Sequence, residues 1–109
     1  MMLVACLTRR LNDGVDYATF RNAWIPDEVI PGDPRTRVLS AVNLADPQEL
    51  CTLAIIEDAD PAEIPAWMAR IAPVEARRHD RIKHLTGDPT VNAVYRVVAE
   101  DDLSQPITA

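Results

Sequence analysis

The amino-acid sequence predicts an α+β domain in which two helices cover one face of a four-stranded antiparallel sheet. Short apolar runs alternate with amphipathic segments in the order β-α-β-β-α-β, the order of a split βαβ arrangement. A chain of 109 residues has room for one hydrophobic core, so residues 1–109 are expected to form a single domain.

The first strand is predicted at Leu3 to Thr8, and the turn-forming sequence Asn12-Asp13-Gly14 follows it. Asp16 is placed to cap the helix that comes next, and Pro26 is expected to end that helix. The apolar stripe of this helix consists of Tyr17, Phe20 and Trp24.

The segment from Ile25 to Arg37 contains three prolines and shows no periodicity, which predicts a long loop. Long loops in small domains often serve as lids or interface segments. A passive surface loop is the equally weighted alternative.

Two further strands are predicted at Val38 to Leu44 and at Leu50 to Ile56. The short polar sequence Asp46-Pro47-Gln48-Glu49 between them is typical of a hairpin connection. The last strand is predicted at Val91 to Ala99.

The second helix is predicted to follow Asp60, a cap residue, with Pro61 at the first helical position. The regular helix is alternatively expected to start at Pro65, and Pro73 is expected to kink or restart it. Its apolar stripe consists of Ile64, Trp67, Met68 and Ile71.

Both faces of the predicted sheet are apolar, although only two helices are available to cover them. An antiparallel sheet with one face in water would alternate apolar and polar residues, and these strands do not. The uncovered face predicts an interface, and a second copy of the chain is the simplest partner. In the third strand, the two sides consist of Leu50, Thr52, Ala54 and Ile56, and of Cys51, Leu53 and Ile55.

Three features of the chain carry a resemblance to a known superfamily. The opening strand runs into Leu11-Asn12-Asp13-Gly14, a capped helix with phenylalanine and tryptophan follows, and residues 97–102 read Val-Val-Ala-Glu-Asp-Asp. With the element order, they resemble the dimeric α/β-barrel superfamily, whose members have the ferredoxin-like fold. These members include antibiotic-biosynthesis monooxygenase-like proteins, small lactone isomerases and stress-responsive barrel proteins. The resemblance implies a homodimeric α/β barrel in which each sheet and its helices enclose a mostly apolar ligand cavity.

Polar residues that interrupt the apolar strands are the candidates for such a cavity. Asn43 and Arg96 are the strongest candidates for catalytic residues among them. An amide can bind a carbonyl oxygen, and a guanidinium can stabilise a developing enolate or phenolate. For each residue singly, a structural hydrogen bond or an exposed edge position is the favoured alternative. The full set is Thr8, Ser40, Asn43, Thr52, Asn92 and Arg96.

His79 is the third candidate catalytic residue, since Glu75 precedes it by one helical turn and a His–carboxylate pair suits general acid–base chemistry. His84 and Asp80 have the same spacing. A non-catalytic ion pair on an exposed helix face has the same sequence pattern and is the alternative for both histidines. Trp24 and Trp67 are expected to pack in the core rather than stack on a ligand.

The basic residues near the second helix are interpreted as a solvated face balanced by Glu75 and Asp80. An anionic ligand or an acidic partner surface is the alternative. These basic residues are Arg70, Arg77, Arg78, Arg81 and Lys83.

The composition and the net charge of the chain argue against several classes of protein. A net charge of −6 argues against affinity for nucleic acid or anionic membranes. No run approaches the roughly 20 apolar residues that span a bilayer, and no signal peptide is evident, so a cytoplasmic location is expected. Cys6 and Cys51 are expected to be buried thiols, with a redox pair between neighbouring strands as the alternative, and no metal site or cofactor is predicted.

The expected function is that of a small-molecule-binding barrel protein, with the ligand in the cavity between the sheet and its helices. A cofactor-independent monooxygenase or an isomerase acting on an aromatic or polyketide-like compound is the leading hypothesis. A non-catalytic ligand-binding or stress-response barrel is the alternative, as is a structural dimer with a filled core.

Overall fold

The computed structural model describes residues 1–25 and 29–106 as an α+β structure with one antiparallel sheet. The sheet order is β2-β3-β1-β4, and every neighbouring pair is antiparallel. This confirms the mixed α+β class and is compatible with the ferredoxin-like fold. The elements are β1 (Leu3–Arg10), α1 (Tyr17–Trp24), β2 (Arg37–Asn43), β3 (Asp46–Ile56), a short 3-10 helix (Pro61–Glu63), α2 (Ile64–Ile82) and β4 (Val91–Arg96).

Both predicted helix caps are confirmed. The Asp16 carboxylate accepts a hydrogen bond of 2.8 Å from the backbone N–H of Thr19, which satisfies a donor that the first turn of α1 leaves free. The Asp60 carboxylate accepts one of 3.0 Å from the backbone N–H of Ala62 in the 3-10 helix that leads into α2. Pro26, the expected end of the first helix, lies outside the described residues.

The connection between β2 and β3 differs from the prediction. The turn is at Leu44 and Ala45, whereas residues 46–49, predicted to form the connection, belong to β3. The Asn43 side chain explains the shift, because its oxygen accepts a hydrogen bond of 2.8 Å from the backbone N–H of Ala45 and closes a tighter turn.

Two other predicted boundaries are also wrong. Pro73 does not restart the second helix, since α2 is one helix of 19 residues with Pro73 inside it, and the alternative of a kink at Pro73 stays a prediction. A proline there removes one backbone hydrogen bond, but Ile71 and Val74 on either side are buried and keep the segment against the sheet. β4 ends at Arg96 rather than Ala99.

The apolar core on the helix-covered face of the sheet is divided into two clusters. In the register of β1 and β3, Leu3 lies opposite Ile56 at one end of the sheet, and Arg9 lies opposite Leu50 towards the other end. The positions between them are occupied by Leu7 and by the smaller Ala5, Thr52 and Ala54. The Trp67 cluster consists of Leu3, Ile30, Ile56, Trp67, Ile71 and Val74, and the Phe20 cluster consists of Leu11, Phe20, Leu50 and Ile82.

The other face of the sheet, called the open face below, carries apolar side chains that neither helix covers. Leu39 is 43% exposed and Tyr95 is 52% exposed, although both belong to strands. Ala41 and Val91 on the same face are also exposed. Six other apolar residues of this face are half-buried between their strand neighbours: Val4, Cys6, Cys51, Leu53, Ile55 and Ala93.

Cys6 and Cys51 are free, half-buried thiols on the open face rather than buried core residues. Their Sγ atoms lie 3.7 Å apart. Burial and the neighbouring Cys51 thiol raise the pKa of Cys6, which disfavours its thiolate.

Within the two described ranges, neither helix combines the length and the apolar character needed to cross a bilayer. The cytoplasmic location and the single domain over residues 1–109 stay predictions.

Two leucines of the β2–β3 hairpin test the described core. Leu50 is fully buried, whereas Leu44 is fully exposed in the turn. We expect Leu50→Ala to lower the free energy of unfolding by about 2–5 kcal/mol, through lost burial and the cavity that remains. Leu44→Ala should change it by less than about 0.5 kcal/mol. Urea unfolding followed by circular dichroism measures both, and equal effects would contradict the described core.

Candidate functional site

A cavity of about 710 Å³ lies between the two helices and the covered face of the sheet. Its position follows from the divided core, because Ala5, Thr52 and Ala54 in the middle of β1 and β3 are too small to fill the space. Ile25 and Met68 on its rim are more than two-fifths exposed, so solvent reaches the cavity. Its volume is typical of a site for a small organic molecule.

Arg9 lies on the covered side of β1 and lines the cavity, although only 8% of the residue is exposed. Its Nη1 atom is buried and has no hydrogen-bond partner among the residues that the structure describes. Burial lowers the pKa of the Arg9 guanidinium, and attraction to the Glu75 carboxylate opposes this effect. Among residues 1–25 and 29–106, the charge of Arg9 is therefore taken out of water without a direct ionic partner.

The contact between Arg9 and Phe20 offsets only part of this cost. The Arg9 Cζ atom lies 5.6 Å from the centre of the Phe20 ring. A cation over an aromatic ring contributes about 0.5–2 kcal/mol, whereas burying an unpaired ion costs several kcal/mol.

The other half-buried arginines of the cavity are paired with carboxylates. Arg35 donates to Asp33 at 2.8 Å and to Glu75 at 2.9 Å, and Arg78 donates to the same Glu75 oxygen at 2.7 Å. The side chains of Arg35 and Arg78 are 13% and 12% exposed, but that of Glu75 is 39% exposed, so water partly screens the two contacts with Glu75. Two guanidinium groups thus balance two carboxylates, and Arg9 adds one positive charge.

Hydrogen bonding determines the protonation of Asp33. Burial acts to raise the pKa of Asp33, but hydrogen bonds from the side chain and backbone N–H of Arg35 outweigh it and hold that pKa below its ordinary value. The same pairing raises the pKa of Arg35 against the opposing effect of burial. The contact between Asp33 and Arg35 therefore stays ionised near neutral pH.

Two tryptophans line the cavity beneath these arginines. The Arg35 Cζ atom lies 5.5 Å from the Trp67 ring centre, and the Arg78 Cζ atom lies 5.9 Å from the Trp24 ring centre. Trp67 packs in its core cluster as expected, and Trp24 packs at the edge of the Phe20 cluster. Both rings also border the cavity, so core packing and access to a ligand coexist.

The three predicted catalytic residues lie in different places. His79 lines the cavity from α2 and is exposed. Asn43 lies in the β2–β3 turn, where it binds the Ala45 N–H, and Arg96 is exposed at the end of β4. Neither Asn43 nor Arg96 borders the cavity, and the catalytic roles of all three residues stay predictions. Of the other polar strand residues, Ser40, Thr52 and Asn92 line the cavity and Thr8 does not.

The expected pairing of His79 with Glu75 is wrong for the described residues, because the Glu75 carboxylate is held by Arg35 and Arg78. The expected pairing of His84 with Asp80 is also absent there. Asp80 pairs instead with Lys83 at 3.5 Å.

The interpretation of the basic segment as a solvated helix face is wrong for Arg78 and Arg81. Arg78 is almost covered, and the Nε atom of Arg81 donates a hydrogen bond of 2.9 Å to the backbone oxygen of Ala23 in α1. A signal for Arg78 is present in the sequence, because it continues the buried stripe of α2 between Val74 and Ile82.

The loop before β2 forms part of the cavity wall. Asp33 and Arg35 border the cavity, and Ile30 belongs to the Trp67 cluster. The alternative of a passive surface loop is therefore wrong for Ile30, Asp33 and Arg35, whereas Val29 of the same loop is 90% exposed. Residues 26–28 of the predicted loop lie outside the described residues.

The chemistry of the cavity suits an anion better than a cation. Within the part of the chain that the structure describes, its buried unpartnered atoms are all N–H donors, namely Arg9 Nη1, Trp67 Nε1 and Arg78 Nε. In the described ranges, no group of three or more histidine, cysteine, aspartate or glutamate side chains is arranged to hold a metal ion.

Comparisons with known proteins assign no family, since the chain matches no protein-family model, no curated protein and no solved structure.

The Asp33–Arg35 contact makes a pH-dependent contribution to stability. Because the folded-state pKa of Asp33 lies below its ordinary value, this contribution is complete above that ordinary value and is lost as the pH falls through the folded-state pKa. We expect Asp33→Asn to lower the free energy of unfolding by about 1 kcal/mol at about pH 6, and by less at about pH 3. Urea unfolding at both pH values measures the difference. A gap between the two proteins that does not change with pH would contradict the ionised contact.

Proposed function

We propose that this chain binds a small, flat aromatic compound in the cavity between its helices and its sheet. The observation that carries the proposal is a cavity of about 710 Å³ bordered by three aromatic side chains, Tyr17, Trp24 and Trp67. Aromatic rings give a planar apolar ligand large contact area, and a few polar groups then fix its orientation.

In the enzymatic form of this proposal, the chain is a cofactor-independent monooxygenase or an isomerase. The unpartnered N–H donors of Trp67 and Arg78 at the cavity stabilise an enolate or phenolate that forms in the bound compound, a role that the sequence suggested for Arg96. His79, at the cavity, accepts the proton that is removed. In the non-catalytic form, the same cavity holds the compound without changing it.

The chain is also proposed to form a homodimer through the open face, as members of the dimeric α/β-barrel superfamily do. The support is the apolar open face with Leu39, Leu53 and Tyr95, which no other described part of the chain covers. Two such faces packed together would remove this surface from water, and the cavities would stay on the outer side of each sheet.

Ligand binding is tested by calorimetric titration with naphthoate and with its neutral counterpart naphthamide. We expect at least one of them to bind, and Ala5→Phe to weaken that binding about tenfold or more, because the new ring fills the middle of the cavity. Ala99→Phe is the matched control, since Ala99 is exposed and does not border the cavity.

Failure of both compounds to bind, or equal binding by the wild type and Ala5→Phe, would contradict the proposal. Consumption of dissolved oxygen, or a spectral change in a bound hydroxyaromatic compound, would favour the enzymatic form. Binding without either change would favour the non-catalytic form.

The homodimer is tested by sedimentation at concentrations on the order of micromolar. We expect the wild-type chain to sediment as a dimer and Leu53→Glu to sediment as a folded monomer, because the substitution places charges against each other in the middle of the paired faces. Leu103→Glu is the matched control, since Leu103 is 84% exposed outside the sheet. A folded wild-type monomer would contradict the shared barrel.

A further inference from the structure

We infer that the compound bound in the cavity is an aromatic acid with one carboxylate group, and that Arg9 binds this carboxylate. The inference rests on the proposed function and adds the chemical class of the ligand. It is carried by the charge balance of the cavity wall and by the unpartnered donors around it.

The charge balance of the wall fixes the sign and the size of the ligand's charge. Asp33 and Glu75 are engaged by Arg35 and Arg78 at 2.7–2.9 Å, so these four groups neutralise one another. Arg9 has no such partner among the described residues, which leaves one buried positive charge at the cavity. A single negative charge on the ligand compensates it.

The donors fix the hydrogen-bonding character of the ligand. Arg9 Nη1, Arg78 Nε and Trp67 Nε1 are buried without a hydrogen-bond partner in residues 1–25 and 29–106, and all three belong to side chains that border the cavity. An ionised carboxylate only accepts hydrogen bonds and matches a planar guanidinium in two parallel contacts. A protonated amine would add donors and positive charge to a wall that already has an excess of both.

The position of Arg9 distinguishes it from the other basic residues of the cavity. Arg21 also borders the cavity, but it is exposed, so water already solvates its charge. Arg9 is nine-tenths buried and rests on Phe20 next to the aromatic wall. The cavity therefore offers an aromatic wall for the flat ring of the ligand, at Trp24 or Trp67. It also offers a buried guanidinium, that of Arg9, for the ligand carboxylate.

The experiment compares the affinities of naphthoate and naphthamide, which have the same ring and nearly the same shape. We expect the wild-type protein at neutral pH to bind naphthoate about ten- to a hundredfold more tightly, because a charge-assisted hydrogen bond replaces a neutral one. Arg9→Gln should reduce this preference to about twofold or less while leaving the affinity for naphthamide nearly unchanged. Arg10→Gln is the matched control and should keep the preference, since Arg10 is exposed, pairs with Asp46 and does not border the cavity.

The outcomes separate the inference from the proposed function. Equal affinity of the wild type for the two compounds would overturn the inference and leave ligand binding in place, as would a preference that Arg9→Gln retains. Binding of neither compound would overturn both. If Arg9→Gln does not fold, the wild-type preference and an Arg9→Met variant decide the question, because methionine fills similar space without charge.

Discussion

The two helices bury apolar residues at two places along the sheet and leave the space between them unfilled. The Trp67 cluster holds α2 near one end of β1 and β3, and the Phe20 cluster joins α1 and α2 to the other end. Protein interiors are normally packed to the density of organic crystals, so an unfilled gap of this size sacrifices stability. The position of the cavity, its aromatic walls and its charged lining all follow from this divided core.

The charged lining shows how the fold tolerates ions beside an apolar core. Arg35 and Arg78 converge on Glu75 from the loop and from α2, and each lies over a tryptophan ring. Removing one member of such a network leaves its partner's charge uncompensated, which costs more than the network contributes. Within the described residues, Arg9 is already such an uncompensated charge. A ligand anion that pairs with it would supply the missing partner.

Much of the architecture was predictable from local sequence signals. Asp16 and Asp60 indicated the helix starts, and the apolar runs gave the four strands and their order, because these signals act between neighbouring residues. The exact position of the hairpin turn was missed although its contact is local, because Asn43 with the Ala45 N–H competes with Asp46-Pro47, a second turn-forming sequence beside it.

Much less of the site was predictable. Arg9 and Arg78 continue buried patterns in β1 and α2, but a charged residue at such a position is ordinarily taken as solvated. The contact from Arg35 to Glu75 spans 40 residues, and no local pattern encodes it. Nuclear magnetic resonance during titration with naphthoate tests the central claim most directly. The indole N–H signals of Trp24 and Trp67 and the Nε–H signal of Arg9 should shift along one common binding curve, while the amide of Leu53 on the open face stays unchanged. Shifts confined to the open face, or none at the three cavity signals, would contradict a ligand cavity in the divided core.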